Sequence, residues 1–357
     1  MKNKVFILFM VVTLLVSMMG CAAPVGTSQA EPVATNEDES TEAVKELHII
    51  TTLFPQYDFV KQIAGDKANV VLIVPPGVEA HAYEPTPQDI VSIQKADLFV
   101  YTGESMEPWA HKIIETVGEE NVSVIEAGQG LFEIEAVQDD HTYHEDHEDH
   151  EDHEDHEDHE DHEDHEDHED HDDHGHDHGG VDPHVWLDPV KAQGMVTNIV
   201  EGLVRIAPEH EILFRENAKA YIDQLDQLHH KFEDGLAITE SKTIVSGGHF
   251  AFGHFINRYG LKYESPYMGF APDAEPTPKK IAELIDSVKD NNTKAIFYEE
   301  LVDPKVAKII AEETDAEMLL LHAAHNLSKE EIESGITYIS IMENNLENLK
   351  IGLGSKE

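Results

Sequence analysis

The stretch "LHIITTLFPQYDFVKQIAGDKANVVLIV", residues 47–74, decides the fold class. "LHIITT" (47–52) is a short apolar run of the strand type. In "FPQYDFVKQIAG", Tyr57, Val60 and Ile63 recur at helical spacing before Gly65 stops the run, and "VVLIV" (70–74) repeats the strand signal. Strands that are apolar throughout, rather than alternating, are buried on both faces, so the unit reads as part of a parallel sheet covered by helices.

The same alternation continues outward. "PTPQDIVSIQKA" (85–96) predicts a helix, "DLFVY" (97–101) a strand, the region around "EPWAHKIIETVG" a helix, and "VSVI" (122–125) a fourth strand. The pattern stops near Gly130 and resumes at "VDPHVWLDPVKAQGMVTNIVEGLVRIAP", where Val196, Ile199, Val200 and Leu203 share a helical face. "EHEILFRENAKAYIDQLDQLHHKFEDGLA" (209–237) lacks Gly and Pro until Gly235; a helix of about 27 residues is about 40 Å long, enough to brace two lobes. A second alternation follows: "TIVS" (243–246), a helix from Phe250 to Tyr259, "KYES", the helix "TPKKIAELIDSVKD", the strand "KAIFYE" (294–299), a helix from Pro304 to about Thr314, "EMLLL" (317–321), and a last helix from Ser328 to Leu349.

The expected architecture is α/β: two lobes, each with a mainly parallel sheet flanked by helices, joined by one long rigid helix, with the ligand in the cleft outside the C-terminal strand ends. The expected boundaries are an N-terminal lobe over 47–208, a linking helix over 209–238 and a C-terminal lobe over 239–355. An insertion over 139–180 interrupts the first lobe.

Ahead of the lobes, Lys2 and Lys4 precede an apolar run from Val5 to Met19 that is too short to span a bilayer comfortably, as in an export signal over residues 1–20. It ends in "SMMGC". Cys21 is the single cysteine of the chain, so it forms no intramolecular disulfide. Small residues before such a cysteine resemble a bacterial lipobox, although Met18 stands where that pattern usually has Leu. The resemblance implies cleavage before Cys21, acylation of its thiol and attachment to the outer face of the cytoplasmic membrane, an extracytoplasmic location. Residues 21–46, rich in Ala, Thr, Ser, Glu and Pro, read as a flexible tether.

The formal net charge is −49. Residues 139–178 alone hold 23 acidic side chains and no Lys or Arg, and the remainder is acidic as well. Such a chain repels nucleic acid and raises the local concentration of cations. The partners to expect are therefore cations, with no nucleic acid among them.

Of the 25 histidines, 14 lie in 141–178 and 11 elsewhere. Three of the 11 share a position. His81 follows the strand 70–74 in "PPGVEAHAYEPTP", His184 precedes a helix in "DPHVWLDP", and His249 follows the strand 243–246 in "SGGHF". A single His beside Gly or Pro is more often a packing or capping residue; three at one predicted cleft edge suit Zn²⁺, which takes tetrahedral nitrogen ligands. His48, His111, His210, His229, His230 and His254 fall on predicted strands or helices and read as surface or structural residues. Trp109 and Trp186 read as packing residues.

With these residues in place, the chain resembles the extracytoplasmic metal-binding proteins of ABC transporters, in their zinc-uptake branch. The resemblance rests on "PPGVEAHAYEPTPQD", "DPHVWLDP", "GHFAFGHFINRYGL" and "AEPTPKKIAELIDSVKDNNTKAIFYEELVDPKVAKIIAEET", and covers about Leu47 to Gly352. It implies two α/β lobes about a rigid helix, with His81, His184 and His249 as the first three ligands. The manganese branch commonly has a carboxylate at the position of His249, and hard Mn²⁺ prefers oxygen, so the histidine favours zinc. Many relatives carry Asp for the fourth ligand, where this chain reads "LLLHAAHNLS". His322, nearer the strand end, is the expected fourth donor, with His325 or a water as alternatives. Glu299, at the end of its strand, is expected to support the site or the closing of the lobes, or else to be structural.

The insertion repeats the triplet His-Glu-Asp through His144, His147, His150, His153, His156, His159, His162, His165 and His168, and continues with His171, His174, His176 and His178. It has almost no apolar side chain, so it is expected to be disordered without metal. Its period of three excludes the HExxH arrangement of zinc proteases, which occurs nowhere in the chain. Imidazoles flanked by carboxylates in a floppy segment are expected to collect zinc weakly and to pass it to the cleft. A plain acidic spacer is the simpler reading, but it needs no regular histidine.

The expected function is the zinc-binding component of an ABC-type import system: a monomer without enzymatic activity that captures Zn²⁺ and delivers it to a membrane permease. A manganese or other divalent-metal transporter component, a metal-storage or adhesion lipoprotein, and a zinc hydrolase are the alternatives.

Overall fold

A computed structural model describes residues 46–118, 121–132, 181–267 and 276–355. The export signal, residues 21–45 of the tether with Cys21, and the insertion with His144 to His178 lie outside the described residues.

The first lobe holds strands β1 (Leu47–Thr51), β2 (Ala68–Leu72), β3 (Leu98–Tyr101) and β4 (Ser123–Glu126). All pair in parallel, in the order β2-β1-β3-β4. Three helices alternate with them: α1 (Phe54–Ala64), α2 (Pro87–Gln94) and α3 (Pro108–Val117). Proline in the first turn starts each of these helices, where its missing N–H has no intrahelical partner to lose. Thr86 and Asp89 close a capping box on α2. Helix α4 (Pro189–Ile206) then opens on Asp188, whose side chain accepts from the Val190 N–H.

Helix α5 (Glu211–Ala237) is a single run of 27 residues. Phe214, Ala218, Tyr221, Leu225, Leu228, Phe232 and Leu236 recur every three or four residues along it and are buried. They form one stripe of the amphipathic helix. One continuous core takes in Ile49 and Phe59 of the first lobe, the α5 stripe, and Phe297, Tyr338 and Leu349 of the second. The helix therefore does more than span: its buried stripe packs into a core common to both lobes.

The second lobe repeats the plan. Strands β5 (Thr243–Val245) and β6 (Lys262–Glu264) pair in parallel, as do β7 (Ala295–Tyr298) and β8 (Glu317–Leu320). A parallel bridge between Ser246 and Phe297 joins the two pairs, which gives the order β6-β5-β7-β8. The order matches that of the first lobe. In each sheet the chain leaves β1 or β5 toward one edge and returns to cross to the other, and the crevice at that reversal is where such sheets bind ligands.

Helices α6 (Gly253–Tyr259), α7 (Pro278–Asp290) and α8 (Lys305–Thr314) alternate with these strands. The expected last helix is two helices, α9 (Lys329–Ser334) and α10 (Tyr338–Gly352). Gly335 ends α9 at φ 71°, a left-handed conformation that glycine adopts without a Cβ penalty. Thr337 then caps α10 through Ser340. The apolar spacing on both sides of Gly335 disguised this stop.

Candidate metal centre

The loops at the C-terminal ends of both sheets meet at four imidazoles: His81 after β2, His184 ahead of α4, His249 after β5 and His325 after β8. One donor atom from each lies within 4.8 Å of all the others. His81 Nε2 is 3.2 Å from His184 Nε2 and 3.3 Å from His325 Nε2.

These spacings can be compared with a bound zinc. Four nitrogens 2.0 to 2.1 Å from one centre at tetrahedral angles are about 3.3 Å apart, and adding about 1.1 Å to each ring centre separates the centroids by about 5.2 Å. All six centroid separations in the cluster fall between 5.0 and 5.5 Å. The rings are placed as a tetrahedral ion requires.

Each ring is aimed by its own surroundings. His184 is fully buried; its Nδ1 faces Asp182 Oδ1 at 2.8 Å and its backbone N–H donates to the same oxygen at 3.0 Å. Asp182 is fixed in turn by His254, whose Nε2 donates to the Asp182 carbonyl at 2.9 Å. His249 Nδ1 faces Glu299 Oε2 at 2.5 Å, and its N–H donates to Glu299 Oε1 at 3.1 Å. Gly248 permits that approach, since a Cβ there would stand 2.5 Å from Glu299 Oε1. His325 Nδ1 lies 3.5 Å from Glu300 Oε1. Glu300 also accepts the N–H groups of Ala323 and His325, and thereby shapes the loop. His81 is held through its backbone, which donates to Glu79 at 2.9 Å.

Carboxylates behind Nδ1 fix the tautomer, turn Nε2 toward the centre and raise its basicity, the usual support of metal-bound histidine. Consistent with this, His249 Nε2 is buried with no hydrogen-bond partner among the described residues. A cation at the centre of the four rings would satisfy that nitrogen.

The electrostatics differ from ring to ring. Burial pushes the pKa of His81 down to about 2, and burial followed by the neighbouring imidazoles pushes His184 well down, so both stay neutral and free to donate lone pairs. Burial acts the same way on His249, but the hydrogen bond and charge of Glu299 outweigh it and raise that imidazole. Burial pushes Asp182 up to about 7. Glu79, Glu299 and Glu300 line the opening beside His249 and His325, an acidic mouth that favours cations.

The expected fourth donor, His322, is not part of the cluster. Its Nδ1 lies 3.4 Å from Glu300 and its Nε2 3.4 Å from Glu331, while its N–H donates to Asn345 Oδ1. Its ring also accepts the Ala324 N–H, with Ala324 itself at φ 57°. That left-handed residue turns the loop back and brings His325 to the centre. Proximity to the strand end is therefore the wrong guide here. Asp182 and Glu300 received no role from the sequence, although Asp182 stands two residues before His184 and Glu300 adjoins Glu299.

Loops of the two lobes are also tied together. Asn326 donates to the carbonyls of Pro75 at 2.7 Å and Val78 at 2.9 Å, Gly77 N–H donates to Leu327, and Trp186 Nε1 donates to Ala323 at 2.8 Å. His81 and His325 are thus held on connected loops.

Two parallel α/β lobes on one bracing helix, with an all-imidazole cluster between them, define a solute-binding protein for a borderline metal cation. Residues 49–352 match the family of zinc-uptake complex component A, periplasmic (ZnuA), and the chain belongs to that family. It is 37% identical over 307 residues to the high-affinity zinc uptake system protein ZnuA of Bacillus subtilis, a match covering 86% of this chain and 88% of that protein. It is 35% identical over 307 residues to the zinc-binding lipoprotein AdcA of Streptococcus pneumoniae; there the match covers 85% of this chain and 55% of the relative, about half its length. Among solved structures, the Zn(II)-bound ZnuA-like domain of Streptococcus pneumoniae AdcA superposes with a TM-score of 0.67 at 33% identity, covering 87% of this chain and 99% of that one.

Proposed function

We propose that the chain is the extracytoplasmic zinc receptor of an ABC-type importer, binding one Zn²⁺ tightly through His81, His184, His249 and His325 and handing it to a membrane permease. The observation that carries this reading is the set of six ring separations of 5.0 to 5.5 Å, matched to tetrahedral zinc. A donor set of four nitrogens favours zinc over manganese, which prefers oxygen.

Four imidazoles also leave no open coordination position, whereas a hydrolytic zinc keeps one for water. Asp182, Glu299 and Glu300 are engaged behind the rings, and Glu79 accepts the backbone N–H groups of His81 and Ala82. The protein acts by binding and release, without bond chemistry.

Acylation at Cys21 tethers a monomer to the outer face of the membrane. The histidine-rich insertion collects zinc with low affinity and supplies it to the cleft.

The test is ⁶⁵Zn uptake from zinc-depleted medium by cells whose only copy carries alanine at His81, His184, His249 and His325. Uptake should fall to that of cells lacking the protein. Uptake equal to the unaltered chain removes the cleft from the function.

A further inference from the structure

The outer side of α5 carries a second group of metal-donor side chains that shares no residue with the cleft: His229, His230 and Glu233, whose donor atoms lie within 4.8 Å of one another. Glu233 Oε2 is 2.7 Å from His230 Nδ1 and 3.5 Å from His229 Nε2, so one carboxylate oxygen faces a nitrogen of each ring. The helix explains this, because Glu233 lies three residues beyond one histidine and four beyond the other, both on its own face.

The remaining nitrogen of each ring has a partner of its own. His229 Nδ1 is 3.1 Å from the Tyr259 hydroxyl, and His230 Nε2 is 3.7 Å from Asp226 Oδ2. His229 is therefore oriented from behind by a hydrogen bond, and His230 has a second carboxylate near its far nitrogen, while both turn their other nitrogen toward Glu233. Arg258, the cation of α6, is committed to Asp188 at 2.8 Å.

We propose that His229, His230 and Glu233 form a second, weaker site for a borderline divalent cation such as Zn²⁺, completed by water on the exposed side. Two imidazoles and one carboxylate select such ions over Mg²⁺ and Ca²⁺, which take oxygen ligands. With His230 63% and Glu233 50% exposed, the site loads only at zinc concentrations that already fill the cleft. It gives the linking helix a cation-binding function that the transport site does not require.

The test reads this position directly in the full chain. Diethyl pyrocarbonate acylates accessible imidazole, and mass spectrometry resolves the peptide bearing His229 and His230 from those bearing the other histidines. With the cleft filled by one equivalent of Zn²⁺, further Zn²⁺ should slow acylation of this peptide by at least about fivefold with a saturating dependence. Mg²⁺ should leave it unchanged. Glu233→Gln should raise the zinc midpoint of protection at least about tenfold while the tight cleft site keeps its affinity. His230→Ala should abolish saturable protection of His229. Protection that is absent, equal with Mg²⁺, or identical in Glu233→Gln overturns the proposal. None of those results bears on the cleft.

Discussion

Replacing His325 by alanine removes one of four imidazoles from the cluster, and the size of the effect can be worked out. Zinc bound by four protein donors is worth about 10 to 16 kcal/mol, or about 2.5 to 4 kcal/mol per donor. Water entering the vacated position recovers part of this, leaving a loss of about 2 to 3 kcal/mol, a weakening of about thirty- to a hundred-and-fiftyfold. His322→Ala is the matched control. It removes an imidazole from beside Glu300 and Glu331 and the acceptor of the Ala324 N–H, and should lower stability by about 1 to 3 kcal/mol, yet weaken zinc by less than about tenfold because no ligand is lost. Competition with a chromogenic chelator of comparable affinity reads the tight site without interference from weak sites elsewhere. Denaturant midpoints of the metal-free variants separate stability from binding. If His322→Ala weakens zinc as much as His325→Ala does, the assignment of the fourth donor is wrong.

Glu299→Gln keeps a hydrogen-bonding group behind His249 but removes its charge, so zinc affinity should fall about ten- to a hundredfold with one site retained; the same competition assay checks this, and an unchanged affinity denies the carboxylate its role. His81 has a pKa of about 2 in the folded metal-free chain against about 6.5 unfolded, so the unfolded state takes up the proton first as pH falls. Its contribution therefore costs stability below pH 6.5, by about 1 kcal/mol per pH unit, and His81→Ala should escape that loss. Urea midpoints of both proteins at pH 7 and pH 5 measure it; parallel shifts contradict it. Asn326→Ala removes two hydrogen bonds that join the loops of His325 and His81, and amide exchange over residues 76–82 should quicken without loss of the global fold. Unaltered exchange there means that the loops are held by other contacts.

Much of this was legible in the sequence because the signals are local. Apolar runs without alternation marked β1, β3 and β7 as buried parallel strands and β8 as a strand, and the uninterrupted pattern over 209–237 marked α5. His81, His184 and His249 stood out because each lies in a loop beside a strand or helix end, where this fold gathers its ligands. What was not legible depends on chain direction inside a loop. The choice between His322 and His325 turns on the left-handed backbone of Ala324, a residue type that rarely adopts it. The break between α9 and α10 was hidden because Gly335 interrupts a stretch whose spacing stays helical on both sides. Glu300 acts through the backbone N–H groups of Ala323 and His325, contacts that exist only once β7 and β8 lie side by side.

The most direct test of the central claim is calorimetric titration of Zn²⁺ and Mn²⁺ into the chain lacking residues 141–178, beside the same chain with His81, His184, His249 and His325 all changed to alanine. The account predicts one tight zinc site, a far weaker response to manganese, and complete loss of the tight site in the fourfold variant. A shortened chain with no tight zinc site, or a fourfold variant that keeps one, places the receptor outside the cleft.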